Sequence, residues 1–253
     1  AGVMALGIFN ASAQTTKIGY ISLDELIGVM PEAEKDLQYF ADNFKGHPKT
    51  NNAYFHLGDL AYAKSNYNDA LAFFDKVDEK SLTGKDVTEF QYKRAFANFA
   101  LKKFSQARMY FNQIAVNKKH PYNEEGYYYS GLSSYYLKDY NAAYKSFQQL
   151  ELSKKYGKIV PYYIASIKFI NKDYKGVVDY AEPKLKENVS YQNEITHLLG
   201  SSYNELKDYD KALYYLEKYT QNSAKVTPED YYVLGYVQSQ KGKCDKAIEN
   251  LLQ

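Results

Sequence analysis

The hydrophobic pattern of the chain is organised around a recurring pair of small residues. Glycine or alanine is followed twelve residues later by alanine or valine at Gly58/Ala70, Ala95/Ala107, Gly131/Ala143, Ala165/Val177, Gly200/Ala212 and Gly235/Ala247. Successive first members lie 37, 36, 34, 35 and 35 residues apart. Three residues before each second member stands Tyr67, Phe104, Tyr140, Tyr174, Tyr209 or Cys244, and four after it Phe74, Phe111, Phe147, Ala181, Leu216 or Leu251. A fixed period of this length decides the architecture, because each unit can hide its apolar stripe only by stacking on its neighbours. Small residues let two helices approach closely, and the aromatic between them plugs the gap where the chain turns. The pattern predicts helical hairpins over residues 51–87, 88–123, 124–157, 158–192, 193–227 and 228–253, the last one truncated.

The segments between paired helices are short and polar: Lys64-Ser65-Asn66, Lys102-Lys103, Lys138-Asp139, Asn171-Lys172-Asp173, Lys207-Asp208 and Lys241-Gly242-Lys243. Antiparallel helix neighbours require such connections. Period and residues together resemble the tetratricopeptide repeat (TPR) family over roughly residues 36–253. That resemblance implies an all-α fold, a right-handed superhelical solenoid of helix-turn-helix hairpins with a concave groove. Two departures stand out. Pro183 falls inside the fourth unit's second helix, where it removes an amide donor and should shorten or kink the helix near Glu182. The sixth unit stops at Gln253 without a polar capping helix, so the native protein is expected to continue.

The first part of the chain is different. Residues 1–9 are apolar and lead into Ala11-Ser12-Ala13, which reads as the remnant of a secretory signal over residues 1–13 with cleavage before Gln14; the plainer alternative is a frayed apolar start. Residues 16–26 read as a short strand, and Met30-Pro31-Glu32-Ala33 as a helix start. Residues 14–35 resemble the opening of the Skp/OmpH periplasmic chaperones, without their coiled-coil arms. A junction near residues 33–36 is expected, the other reading being an N-terminal cap peculiar to this chain. Leu37, Phe40, Ala41 and Phe44 have helical spacing ahead of Pro48, so residues 36–46 look like an orphan second helix.

Composition changes the picture in two ways. With 32 basic and 30 acidic residues the net charge is +2, which gives no long-range field for nucleic acid or an anionic membrane. Tyrosine occurs 29 times and tryptophan never, which suits a large half-exposed surface with polar-tipped rings. No stretch reaches the roughly 18 apolar residues that span a bilayer. Chemistry is sparse. His47, His56, His120 and His197 are scattered, with His47 and His120 expected to be exposed ahead of prolines, and no HExxH, GxGxxG, P-loop or nucleophile elbow occurs. Cys244 is expected to be a small buried hydrophobe. No enzymatic activity, metal or cofactor is expected.

In the TPR family the first helix of each unit faces the groove through positions three before, one after, and four or five after the first small residue. Carried onto this sequence, these are Phe55, Asp59 and Tyr62; Tyr92, Phe96 and Phe99; Tyr128, Leu132, Tyr135 and Tyr136; Tyr162, Ser166 and Phe169; His197, Ser201, Asn204 and Glu205; and Tyr232, Tyr236 and Gln240. The lining begins aromatic and turns polar in the fifth unit. It lacks the cation set of the carboxylate-clamp subfamily, which argues against recognition of a free C-terminal carboxylate. Packing between hairpins is the competing use of the same rings. The resemblance implies a protein or peptide partner, no nucleic acid, and a scaffold of the bacterial cell envelope of the Tol-Pal or outer-membrane-assembly kind. Alternatives are a periplasmic holdase for outer-membrane clients and the repeat part of a larger enzyme or regulator.

Overall fold

The computed structural model describes residues 3–7, 18–22 and 31–253. Strands β1 (Val3–Gly7) and β2 (Ile18–Ser22) pair antiparallel, with Val3 opposite Ser22 and Gly7 opposite Ile18. β2 lies where the sequence predicts a strand. The signal remnant's end at Ala11-Ser12-Ala13 and the cleavage point at Gln14 lie outside the described residues. The remaining described chain is helical. Helix α1 (Pro31–Asn43) is followed by six hairpins: α2 (Thr50–Ala63) with α3 (Tyr67–Phe74), α4 (Lys85–Ala100) with α5 (Phe104–Val116), α6 (Asn123–Tyr136) with α7 (Tyr140–Gln148), α8 (Val160–Ile170) with α9 (Tyr174–Lys184), α10 (Gln192–Glu205) with α11 (Tyr209–Asn222), and α12 (Pro228–Gln240) with α13 (Cys244–Leu251). The chain divides within α6 into two compact units, Ala1–Tyr129 and Ser130–Gln253.

One contact sets the geometry of each hairpin. A Cβ added to Gly131 would lie 2.7 Å from the ring of Phe147, one on Gly200 2.8 Å from Leu216, and one on Gly235 2.9 Å from Leu251. Gly58 meets Phe74 in the same way. The partner is always sixteen residues on. In the second hairpin the pair is Ala95 with Phe111, and in the fourth Ala165 with Ala181, all buried. In the four hairpins that carry the glycine, a large side chain on the second helix thus seats on bare backbone of the first.

The turn is equally regular. Ser65, Lys102, Lys138, Lys172, Lys207 and Gly242 all have left-handed backbone, with φ between 58° and 70°. The residue after each donates its N–H to the carbonyl five back, from Asn66 to Ala61 at 2.9 Å through Lys243 to Gln238 at 2.9 Å. This closes the first helix in the manner of a Schellman turn. At Asn66, Asp139, Asp173 and Asp208 the same residue then caps the second helix by accepting from a backbone N–H three residues on. One residue therefore ends one helix and starts the next.

Across the first four turns two rings meet edge to face. The pairs are Tyr62 with Tyr67 at 5.6 Å, Phe99 with Phe104 at 5.6 Å, Tyr135 with Tyr140 at 5.6 Å and Phe169 with Tyr174 at 5.4 Å. Such pairs contribute about 1 kcal/mol beyond their buried area. In the sixth hairpin Cys244 takes the second ring's place and is exposed, not buried as expected: its thiol is too short to fill a site built for a ring.

Helix α1 begins at Pro31, five residues before the expected start of repeat material, and runs unbroken through residues 33–36. Its Leu37 and Ala41 pack with Ala53, Leu57 and Leu60 of α2, as a second helix of a preceding hairpin would. Helix α9 closes at Lys184, one residue after Pro183, and passes into a short 3-10 turn at Leu185–Glu187. There Glu182 accepts hydrogen bonds from the hydroxyls of Tyr203 at 2.9 Å and Tyr215 at 2.8 Å, tying the shortened helix to the next hairpin.

Two substitutions check this account. Gly131→Ala should lower stability by about 1–2 kcal/mol, the clash with Phe147 outweighing the gain in helix propensity. Lys138→Gly should raise it by up to about 1 kcal/mol, because glycine adopts left-handed backbone without a Cβ penalty. Chemical denaturation of both variants measures the two effects.

Candidate first-helix binding face

In the unit Ala1–Tyr129 most of the expected lining is packed. Phe55 is 2% exposed and shares a core with Phe74 and Phe90, and Asp59 is 4% exposed, so neither offers a surface as the sequence reading expected. The cause is the tight fit of α2 between α3 and α4, which draws in positions that a looser hairpin would leave open. Tyr62, Tyr92, Phe96, Phe99 and Tyr128 are half-buried. Phe96 touches Tyr62, Tyr92, Phe99 and Tyr129 at 5.3–6.3 Å, and Tyr92 stacks on Tyr122 at 4.3 Å. Tyr128 meets Tyr129 at 5.3 Å. The rings form a continuous array.

Beneath that array lies a polar cluster. The Lys93 ammonium donates to Asp59 at 3.0 Å and lies 3.5 Å from Glu89, whose other oxygen accepts from the Tyr122 hydroxyl at 2.7 Å. Burial and that hydrogen bond push the Tyr122 phenol up to about 12. Burial pushes Asp59 up to about 6 although Lys93 opposes it, and burial with nearby Lys93 lowers His56 to about 4. Neither nitrogen of His56 has a hydrogen-bond partner among the described residues. His120, expected to be exposed, is 6% exposed: its ring lies 3.0 Å from the Gln91 amide oxygen and accepts from the backbone of Tyr122. His47 is exposed as expected.

In the unit Ser130–Gln253 the face opens. Tyr135 bonds Ser166 at 2.8 Å, and Tyr162 and Phe169 are half-buried. Leu132 is buried. His197 lies 2.8 Å from Asp230 and against the ring of Tyr219, while Tyr232 is 64% exposed and Tyr236 41%. Among the described residues no three potential metal ligands come together, and no helix is long and apolar enough to cross a membrane.

The sequence reading passed over two registers. Two residues before the first small residue, Tyr129 stacks on Phe111 at 5.0 Å and Tyr163 on Phe147 at 4.9 Å. Nine residues before it, Tyr122 stacks on Tyr92, and Tyr191 meets Tyr162 at 5.0 Å with the rings tilted by 35°. Tyrosine recurs there as Tyr122, Tyr156 and Tyr191, a signal present in the same alignment of repeats.

Comparison with known proteins agrees with this geometry. A family model described as "Tetratricopeptide repeat" matches residues 30–81, and a second of the same description matches residues 197–225. These two stretches of the chain match tetratricopeptide repeats. Solved structures with this fold include MamA 41-end from Desulfovibrio magneticus RS-1, at 17% identity and TM-score 0.57 over 65% of this chain and 91% of that one. A tetratricopeptide repeat protein from Parabacteroides merdae is 16% identical with TM-score 0.54, covering 90% of this chain and 87% of its own. Pseudomonas aeruginosa pilF is 15% identical with TM-score 0.57, covering 79% and 88%. No curated protein matches the chain.

The buried pair of titrating groups gives an unusual pH profile. His56, lowered in the folded state, stabilises above pH 6.5 and loses that contribution as pH falls toward 4. Asp59, raised, stabilises below pH 3.8 and loses that contribution as pH rises through about 6. The two oppose each other between pH 5 and 7.5, so the wild type should be nearly flat there. His56→Leu should become more stable by about 1 kcal/mol on going from pH 7.5 to 5, measured by denaturation at both pH values.

Proposed function

We propose that this chain is a non-catalytic polypeptide-binding scaffold of the bacterial cell envelope, taking a peptide segment or a partner protein on the face of its first helices. One observation carries the binding half. The ring three residues before the first small residue recurs as Tyr92, Tyr128, Tyr162 and Tyr232; the first three are half-buried, and Tyr232 has 64% of its surface in solvent. Large rings, each carried by its own hairpin, suit recognition: they bring apolar area and a polar tip while losing few rotors on binding. Neighbouring rings hold Tyr92, Tyr128 and Tyr162 in place before a ligand arrives, which lowers the ordering cost of association. The envelope half is supported by the apolar start of residues 1–9 and the small-residue run Ala11-Ser12-Ala13, so the exported protein should begin at Gln14 on N-terminal sequencing.

The rings that close the turns are unsuitable probes, since Tyr62, Phe99, Tyr135 and Phe169 also hold hairpins together. Tyr232 is suitable. Peptides selected from a random displayed library should bind the purified protein, and Tyr232→Ala should weaken them about fivefold or more with an unchanged denaturation midpoint. Equal affinity in the variant contradicts the proposed face. Broad suppression of client aggregation that ignores this change would mark a holdase instead.

A further inference from the structure

The row of tyrosines has a row of carboxylates one helical turn away. Six residues before the first small residue stand Glu89, Glu125, Glu194 and Glu229, and three before it Tyr92, Tyr128, His197 and Tyr232 in the same repeats. A spacing of three puts both on one helix face. The carboxylate of the second repeat is occupied: Glu89 takes the Tyr122 hydroxyl at 2.7 Å and Lys93 at 3.5 Å. That of the fifth is not occupied in the same way. Glu194 meets Lys225 at 3.9 Å, and the Lys225 side chain is 84% exposed. Helices α10 and α12 carry Glu194, Glu205, Glu229 and Asp230 and neither lysine nor arginine, in a protein whose net charge is +2. The first-helix face of these repeats is therefore acidic against the trend of the chain.

Beside Glu194 the structure holds a ring at an energetic cost. Tyr191 has left-handed backbone, φ 59° and ψ 37°, which is uncommon for an aromatic residue and costs on the order of 1 kcal/mol. The preceding Ser190 N–H is fixed on the Lys158 carbonyl at 2.7 Å. The result is that Tyr191, 42% exposed, lies over Tyr162 at 5.0 Å and close to Tyr163 at 6.2 Å. Burial raises the Tyr162 phenol, and the charges of Glu194 and of the neighbouring tyrosines raise it further, so ring pair and carboxylate share one electrostatic neighbourhood. Aromatic faces attract cations through their quadrupole, and an adjacent carboxylate adds direct charge attraction.

We propose that the first-helix face of the fourth to sixth repeats takes a lysine- or arginine-bearing segment of a partner polypeptide, with one cationic side chain seated against Tyr162 and Tyr191 beside Glu194. This rests on the reading of that face as a polypeptide-binding surface and adds the chemistry of the occupant. Extended peptide places alternate side chains on one side, so further cations of the same segment can reach Glu229 and Tyr232 in the next repeat.

The test uses the whole chain and three fluorescein-labelled decapeptides in fluorescence anisotropy: alternating lysine and serine, the same with glutamine for lysine, and the same with glutamate. The lysine peptide should bind, weakening with added salt, while the other two should not. Tyr191→Gly removes the ring at a backbone setting that glycine adopts freely, and Glu194→Gln removes the charge alone; each should weaken the lysine peptide about threefold to tenfold. Glu249→Gln on α13 should leave it unchanged. If the glutamine peptide binds as well as the lysine peptide and Tyr191→Gly weakens both, the cationic occupant is wrong while the binding face stands. If neither Tyr191→Gly nor Glu194→Gln alters binding of any peptide, this site is wrong as a cation seat and as a polypeptide seat alike.

Discussion

The close approach of two helices at one small residue governs this molecule. Where Gly131 faces Phe147, or Gly200 faces Leu216, the large side chain occupies space that a Cβ would claim, and the second helix settles within contact distance of the first helix's backbone. Everything else in the hairpin follows from that seat. The turn must reverse the chain within a few residues, so one residue adopts left-handed backbone and the next both closes and opens a helix. Rings at either end of the turn then meet edge to face. Because the seat recurs every 34 to 37 residues, the hairpins repeat their geometry, and the first helices offer equivalent positions again and again.

The same constraint decides which residues are left for the proposed binding face. A hairpin that seats its apolar side chains inward leaves tyrosine, with its apolar ring and polar tip, for the boundary between packing and solvent. In the unit Ala1–Tyr129 that boundary is spent mostly on packing: Phe96 alone touches five other rings, and Asp59 pairs with Lys93. In the unit Ser130–Gln253 the fifth and sixth hairpins lack the first ring of the turn clasp, with Asn204 and Ser239 in its place, and tyrosines there stand free of that duty. Packing and the proposed recognition draw on one set of residues, and the repeat-to-repeat differences set the division between them.

Period, pairing of helices and turn positions were legible in the sequence because they rest on residue size and backbone freedom, which spacing records directly. Exposure was not. Phe55 and Tyr232 hold the same register, yet one is in the core and the other in solvent, since exposure depends on how closely the neighbouring hairpin sits. Asp59 was unreadable for a different reason: its partner Lys93 lies one repeat away at a position that elsewhere holds Tyr129 or Tyr163, so the pair follows no repeating rule. Cys244 fell outside the pattern because the register predicts a site for a ring, and a thiol leaves that site unfilled. Tyr191 was legible as a register and unreadable as a strained backbone, because nothing in a tyrosine announces left-handed φ.

The central claim is that polypeptides dock on first helices, which the hairpin geometry keeps rigid and leaves rich in tyrosine. Backbone amide chemical-shift mapping of a bound lysine-bearing peptide tests it most directly. The account predicts that the largest shifts fall on α8, α10 and α12, centred on Tyr162, Tyr191 and Glu194, with little change on α9, α11 and α13. Shifts concentrated on those second helices, or spread evenly over the protein, would contradict it.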